Sequence, residues 1–300
     1  MTTMTETLTA KSVPVHFKTV RVGELDVFYR EAGSENSPVL LLLHGFPTSS
    51  NMFRNLIPRL ASSFRVIALD YPGFGFTTMP DHRKFKYTFE NLTNVVEQFT
   101  QKLGLTAFSM YVMDYGAPIG YRLALRHPEQ IQGIIVQNGN AYDEGLLKFW
   151  DPIKKYWNEP TEENRNAIHF LVEPKATRWQ YENGVSDTTL LDPTTWTLDQ
   201  LGLDRPGNAD IQLDLFLSYG SNVPLYPQFQ AFFRKYQPPM LIVWGKNDFI
   251  FPPEGAAPYQ RDLPKVETHL LDTGHFALET HGEEIAFRIE EFLEDRVRKA

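Results

Sequence analysis

Residues 108–120 read FSMYVMDYGAPIG. The first six form a short apolar run without polar alternation, the pattern of a strand covered on both faces of a sheet. A helix then begins near Ala117 and is expected to stop at His127-Pro128, because proline disfavours helix in the residue before it. A strand feeding directly into a helix makes a sharp turn that projects one side chain from the sheet edge and aims backbone N–H groups at it. The small residues Gly116 and Ala117 let that turn close. The projected residue is Asp114. A carboxylate in this position attacks saturated carbon, displacing a halide or opening an epoxide and leaving an alkyl ester on the enzyme. Taken alone, Asp-x-Gly reads as a helix cap; its company in the rest of the chain favours chemistry.

Working outward, three more strand ends carry matching groups. The apolar run 38–43 leads into His44-Gly45-Phe46-Pro47-Thr48-Ser49-Ser50, where the backbone N–H of Phe46 can stand beside that of Tyr115 as an oxyanion hole. The run 240–244 leads to the acid Asp248, and the strand 266–271 leads to His275. Nucleophile, acid and histidine therefore follow one another along the chain, each after its own strand and at the same sheet edge. His44 reads as a structural hydrogen-bonder. Asp70, in Leu69-Asp70-Tyr71-Pro72-Gly73, reads as a turn residue and is the best rival acid. No other histidine has metal-ligand spacing with acids, so no metal is expected.

Segments 16–22 and 25–31, separated at Gly23, read as an antiparallel hairpin. Segment 64–69 is another apolar strand and 131–136 a weaker one. Between them, 89–103 carries Phe89, Leu92, Val95, Val96, Phe99 and Leu103 on one helical face, with Thr88 placed to cap its start and Gly104 its end. A last helix is expected from about 283 to 297. The alternation of strand and helix predicts a doubly wound, mostly parallel sheet. It breaks over 141–235, a proline-studded, mostly helical stretch without apolar strands that holds Trp150, Trp157, Trp179 and Trp196. Such an insertion reads as a lid over the carboxyl ends of the strands, where open α/β sheets bind ligands.

The bulk numbers agree. Of 300 residues, 42% are hydrophobic and 22% charged, a globular composition. A net charge of −8 argues against nucleic acid or an anionic membrane as partner; the partner expected under the lid is a small-molecule substrate. There is no cysteine, which removes disulfides and thiolate sites. The polar, threonine-rich start and the lack of a long apolar run make a soluble, cytoplasmic protein the default expectation.

The whole pattern resembles the α/β-hydrolases with an aspartate nucleophile, namely epoxide hydrolases and haloalkane dehalogenases, over about 20–140 and 238–298. The string His44-Gly45-Phe46-Pro47 is similar to epoxide hydrolases; the longer HGFPTSS and Val112-Met113-Asp114 are similar to dehalogenases. The resemblance implies the α/β-hydrolase fold, with a core of 1–140 and 236–300 and a helical cap of 141–235. It implies Asp114, His275 and Asp248 as the catalytic triad and no cofactor. Dehalogenases usually follow the nucleophile with a halide-holding tryptophan, and here Tyr115 stands there; a second donor, often asparagine, is replaced by Phe46, which cannot donate from its side chain. Epoxide hydrolases use lid tyrosines to protonate the opening oxygen, and Tyr226 and Tyr156 are the candidates. The expected reaction is hydrolysis of a largely apolar epoxide to a diol. The alternatives are a haloalkane dehalogenase, a cofactor-free lyase or oxygenase using His275 as base, and a non-catalytic ligand receptor. An ordinary esterase is disfavoured, since carboxylate attack on an ester gives a labile anhydride and Ser109 lies before the turn rather than on it.

Overall fold

The computed structural model describes residues 13–296. Eight strands make one sheet: β1 (His16–Val22), β2 (Leu25–Ala32), β3 (Val39–Leu43), β4 (Arg65–Leu69), β5 (Phe108–Met113), β6 (Ile131–Gln137), β7 (Met240–Gly245) and β8 (Glu267–Leu271). Their spatial order is β1-β2-β4-β3-β5-β6-β7-β8. The β1–β2 hairpin and the β2–β4 pair are antiparallel, and every later pair is parallel. Gly23 turns the hairpin at φ 56°, a backbone region that glycine enters without steric cost.

Successive side chains of a strand point to opposite faces, and the central strands show what that does here. Met110 and Val112 of β5 join Leu41, Leu43, Ile134 and Val136 in one core, against α2 (Phe89–Lys102) and α3 (Gly116–Arg126). Tyr111 and Met113 join Leu40, Leu42 and Ile135 on the other face, against the short α1 (Leu56–Leu60) and the C-terminal helix. The expected caps of α2 are present: the Thr88 side chain accepts from Asn91 N–H, and Gly104 turns the chain at φ 66°. The strand that read weakly, β6, is a full member of the sheet. Gln132 and Gly133 interrupt its apolar pattern, but its last five residues are buried between β5 and β7.

Between β6 and β7 the chain forms six helices: α4 (Asp151–Asn158), α5 (Glu162–Ala167), α6 (Pro174–Glu182), α7 (Pro193–Leu203), α8 (Asn208–Tyr219) and α9 (Tyr226–Tyr236). This helical insertion is fastened to loops at the carboxyl ends of the strands. Arg205 donates to the carbonyls of Gly73 and Gly75, at 2.9 and 3.0 Å, and Trp150 Nε1 donates to Ile250 O at 2.8 Å. The chain ends with α10 (Tyr259–Asp262) and α11 (Ala277–Arg296). The last helix thus starts about six residues before the expected 283. It is broken at His281 (φ −121°, ψ 23°), beside the helix-weakening Gly282, so only the part after the break shows an uninterrupted helical pattern in the sequence. Its expected end at Val297 lies outside the described residues. No helix among the described residues is long and apolar enough to cross a membrane.

Candidate active site

Asp114 occupies the tight turn between β5 and α3 with φ 51°. Non-glycine residues rarely enter this left-handed region, and an observed outlier of this kind is a common mark of a functional site. Two glycines make the turn possible. A Cβ on Gly116 would stand 2.1 Å from Leu43 O, and a Cβ on Gly45 would stand 2.3 Å from the Asp114 Cβ. The loop after β3 can therefore pass close enough to touch the carboxylate only because residue 45 has no side chain.

The two carboxylate oxygens of Asp114 have different surroundings. Oδ1 accepts from Phe46 N–H at 2.8 Å and from Tyr115 N–H at 2.5 Å. Oδ2 lies 3.7 Å from His275 Nε2, too far for a direct hydrogen bond. His275 Nδ1 is 2.7 Å from Asp248 Oδ2. That contact puts the ring proton on Nδ1 in the neutral imidazole and leaves the Nε2 lone pair facing Asp114. All three side chains are buried. The structure thus brings together Asp114, His275, Asp248 and the N–H groups of Phe46 and Tyr115.

Burial and neighbouring charge set the protonation. Burial raises Asp114 against the lowering effects of His275 and the Phe46 and Tyr115 N–H groups, and the net result is about 6. From the sequence, those N–H groups are expected to favour the charged form; they do, but loss of water outweighs them. For His275 the balance runs the other way. Burial opposes the imidazolium, yet the charge and hydrogen bond of Asp248, with Asp114 behind them, carry its pKa above the ordinary 6.5. His44 is buried and pushed down to about 4; its Nδ1 lies 3.0 Å from Gly45 O and its Nε2 accepts from Tyr71 N–H, a structural role. Asp70 accepts from Ser50 and Phe76 N–H, tying together the two loops beside the site.

Several supporting residues were not singled out from the sequence. Asn138, just past β6, donates to Asp248 Oδ2 at 2.8 Å and binds both the N–H and the carbonyl of Gly245. Gln137 donates to His275 O at 2.9 Å and accepts from the Tyr111 hydroxyl. The signal was the polar run Gln137-Asn138-Gly139-Asn140 at a strand end. Asn138 also sits at φ 41°. Its two duties separate experimentally. Asn138→Gly loses only the hydrogen bonds, an expected cost of about 1.5–3 kcal/mol for bonds to a charged group. Asn138→Ala should lose roughly 1–2 kcal/mol more, because alanine resists that backbone angle. Urea unfolding of the two variants checks this: equal stabilities would mean that the backbone angle carries no cost.

The lid tyrosines differ from expectation. Tyr156 is held by Arg165 Nη1 at 3.1 Å, within an ion-pair group with Asp210 and Asp214. It is a buried lid brace, and the structure does not bring it to the triad. Tyr226 accepts from Asn140 Nδ2 at 3.1 Å and lies behind Tyr219. Among the described residues, neither hydroxyl is hydrogen-bonded to Asp114 or His275. The phenol in front is Tyr219, at the end of α8, with its ring 4.5 Å from Trp150, 5.3 Å from Phe89 and 5.9 Å from Tyr115. Its buried hydroxyl faces that of Tyr226, whereas those of Tyr71 and Tyr115 and the Nε2 of His275 are buried without a hydrogen-bond partner. Burial, the adjacent Tyr226 and the Asp114 charge keep Tyr219 well above the usual phenol range, hence protonated. The indole N–H groups nearby are already committed: Trp150 to Ile250 O, Trp157 to Phe216 O and Trp244 to Phe251 O.

Residues 38–282 match the model of the alpha/beta hydrolase fold family. The chain is 48% identical over 267 residues to an uncharacterized hydrolase of Saccharomyces cerevisiae, covering 88% of this chain and 91% of that one. It is 25% identical over 288 residues to epoxide hydrolase 3 of Mus musculus, covering 92% of this chain and 76% of that one. Among solved structures, the haloalkane dehalogenase of Bradyrhizobium elkani aligns with a TM-score of 0.78 at 20% identity, over 96% of this chain and 100% of that one, a likeness of fold.

Proposed function

The chain belongs to the α/β-hydrolase fold family, and on that premise we propose that it is an epoxide hydrolase working through a covalent ester on Asp114. The observation that carries this reading is the buried Tyr219–Tyr226 phenol pair, with Tyr219 held protonated within reach of the Asp114 charge while the neighbouring indole N–H groups are occupied. A halide needs donors that hold an anion. An opening epoxide needs a proton, and a protonated phenol has one to give.

In the first step Asp114 Oδ2 attacks an epoxide carbon, the C–O bond breaks, and Tyr219 protonates the alkoxide. Oδ1, already held by two N–H groups, becomes the ester carbonyl oxygen. Water between Oδ2 and His275 Nε2 then gives a proton to the imidazole and attacks Cγ. The oxyanion forms where Phe46 and Tyr115 donate. Collapse expels the second alkoxide, which takes the proton from His275. The regenerated Asp114 carboxyl gives its proton to the Tyr219 phenolate, so that epoxide and water have become diol.

Ester formation also readies the base. Esterified Asp114 has no charge, so one of the influences raising His275 disappears and its neutral form is favoured when it is needed.

The test is a single turnover in heavy-oxygen water with an apolar epoxide such as styrene oxide. The first diol should carry ordinary oxygen taken from Asp114, and the label should enter the Asp114 peptide. Label in the first diol instead would mean direct attack by water and overturn the covalent reading; turnover of haloalkanes with halide release would redirect it to dehalogenation. Tyr219→Phe is expected to slow ester formation by roughly 100-fold, at the low end for a positioned general acid, and to leave ester hydrolysis unchanged. Quenched-flow measurement of the two half-reactions checks this. An unaltered first step would remove Tyr219 from the mechanism.

A further inference from the structure

A second feature of the insertion faces outward. Phe149, Phe170, Leu171, Ala176, Trp179 and Phe249 line a groove of about 480 Å³ on the lid surface, with Glu173 and Lys175 at its edge. Three of the rings form a cup. Phe149 and Trp179 are parallel within 7°, centroids 6.1 Å apart, and Phe249 meets both edge-on at 6.4 and 6.1 Å. Phe249 is 49% exposed, a large apolar side chain left in water, although it directly follows the triad acid Asp248.

The groove also contains a polar group with nothing to bind. Gln180, on α6, lines it and is 4% exposed, and its amide Nε2 is buried without a hydrogen-bond partner. Buried polar groups are almost always satisfied, so an orphaned donor in the wall of an aromatic groove points to a ligand that supplies the acceptor. An amide nitrogen can only donate. The edge bears one acid and one base, which favours neither sign of charge in the ligand.

Two buried rings, Trp150 and Phe251, stand between this cup and His275. Phe149 contacts Trp150 at 5.8 Å, Trp150 contacts Phe251 at 5.1 Å, and Phe251 lies over His275 at 6.0 Å. The cup is built on the same loop that positions Asp248, since Ile250 N–H donates to Asp248 Oδ1 and Ile250 O receives Trp150.

We propose that this groove is the outer subsite for the substrate. It takes the aryl or alkyl body of a neutral molecule and reads an acceptor oxygen on it through the Gln180 amide. This deepens the hydrolase reading and rests on it for the identity of the inner site. The substrate class is then narrower than apolar: it is amphipathic, with an ether, carbonyl, hydroxyl or epoxide oxygen beside the apolar body.

The test uses two unreactive probes of nearly equal size, para-fluoroacetophenone and para-fluoroethylbenzene, titrated against the wild-type protein by fluorine NMR. The ketone should bind roughly 3- to 10-fold more tightly, the range of one neutral hydrogen bond. Gln180→Leu should abolish that advantage while leaving the hydrocarbon within about 2-fold, as expected when only a donor is removed. Should the leucine variant fail to fold, Gln180→Met gives the same comparison. Trp179→Ala should weaken both probes several-fold through lost apolar contact. Equal affinities in the wild type, or a ketone advantage that survives at residue 180, would overturn the assignment. The ketone should also raise the KM for styrene oxide competitively; binding without competition would make the groove unconnected to the triad and overturn its role as a subsite. Because the binding arms involve no turnover, they stand even if the inner chemistry proves different.

Discussion

His275→Asn is expected to stop the reaction halfway, with the substrate held on Asp114 as an ester. The geometry makes the two steps depend on different atoms. Attack requires only Oδ2 of Asp114, which His275 does not bond directly at 3.7 Å. Hydrolysis requires a base beside Cγ, and among the described residues the unpartnered nitrogen there is His275 Nε2. Asparagine keeps a polar side chain in the cavity but cannot take a proton from water at working pH. The first step should therefore survive within about tenfold, while the second loses the roughly 100- to 10,000-fold that a positioned general base supplies. Intact-protein mass spectrometry after incubation with mixed epoxides and haloalkanes reads the result. A gain of the whole epoxide mass, mapped to the peptide containing Asp114, is the expected outcome. A gain of an alkyl group alone would identify a dehalogenase. A folded variant that gains nothing from a broad panel would exclude covalent catalysis and return the site to base chemistry or ligand reception.

Much of this arrangement was legible in the sequence because it is fixed by strand ends. A nonalternating apolar run announces a buried strand, and the residue after it must lie at the carboxyl edge of the sheet. Asp114, Asp248 and His275 each occupy such a position, as does the Phe46 loop, so their convergence follows from a parallel sheet alone. The lid follows no comparable rule. Tyr219 is one of 13 tyrosines, and whether a phenol meets a partner depends on how six short helices pack, which periodicity does not encode. Tyr156 and Tyr219 are both buried in the lid; only the structure reveals that Arg165 holds one and that the other faces Tyr226 within reach of the Asp114 charge. Asn138 was hidden for another reason. Its importance lies in a positive φ and a bridge to a strand distant in sequence, and an asparagine after a strand is by itself an ordinary turn residue. The net ionisation of Asp114 was also out of reach, because it depends on how completely the lid and loops exclude water.

That same burial gives Asp114→Asn an unusual pair of expected effects: turnover falls by at least about 10,000-fold, as for removal of a covalent nucleophile, and the fold becomes more stable above pH 6. The loss of activity follows from chemistry, since an amide is a poor nucleophile toward an epoxide. The gain in stability follows from linkage. In the unfolded chain the carboxyl ionises near its ordinary 3.8; in the folded protein it ionises near 6. Below pH 3.8 both states are neutral and the group has no effect on stability. Between 3.8 and 6 the unfolded state releases its proton first, so folding loses ground as pH rises, and above 6 the deficit is constant. About 2.2 pKa units at about 1.4 kcal/mol each sets it at no more than roughly 3 kcal/mol. Asparagine removes the titration while preserving shape: it tolerates the left-handed backbone at φ 51°, and its oxygen can still accept from Phe46 and Tyr115. Thermal melts of both proteins from pH 4 to 8 should therefore coincide near pH 4 and diverge through pH 6, with the variant melting higher. A difference that stayed flat across this range would mean that the wild-type protein does not bury a carboxylate against its preference. A difference that opened only below pH 4 would place Asp114 among ordinary stabilising acids, and the strained turn at residue 114 would then need another explanation.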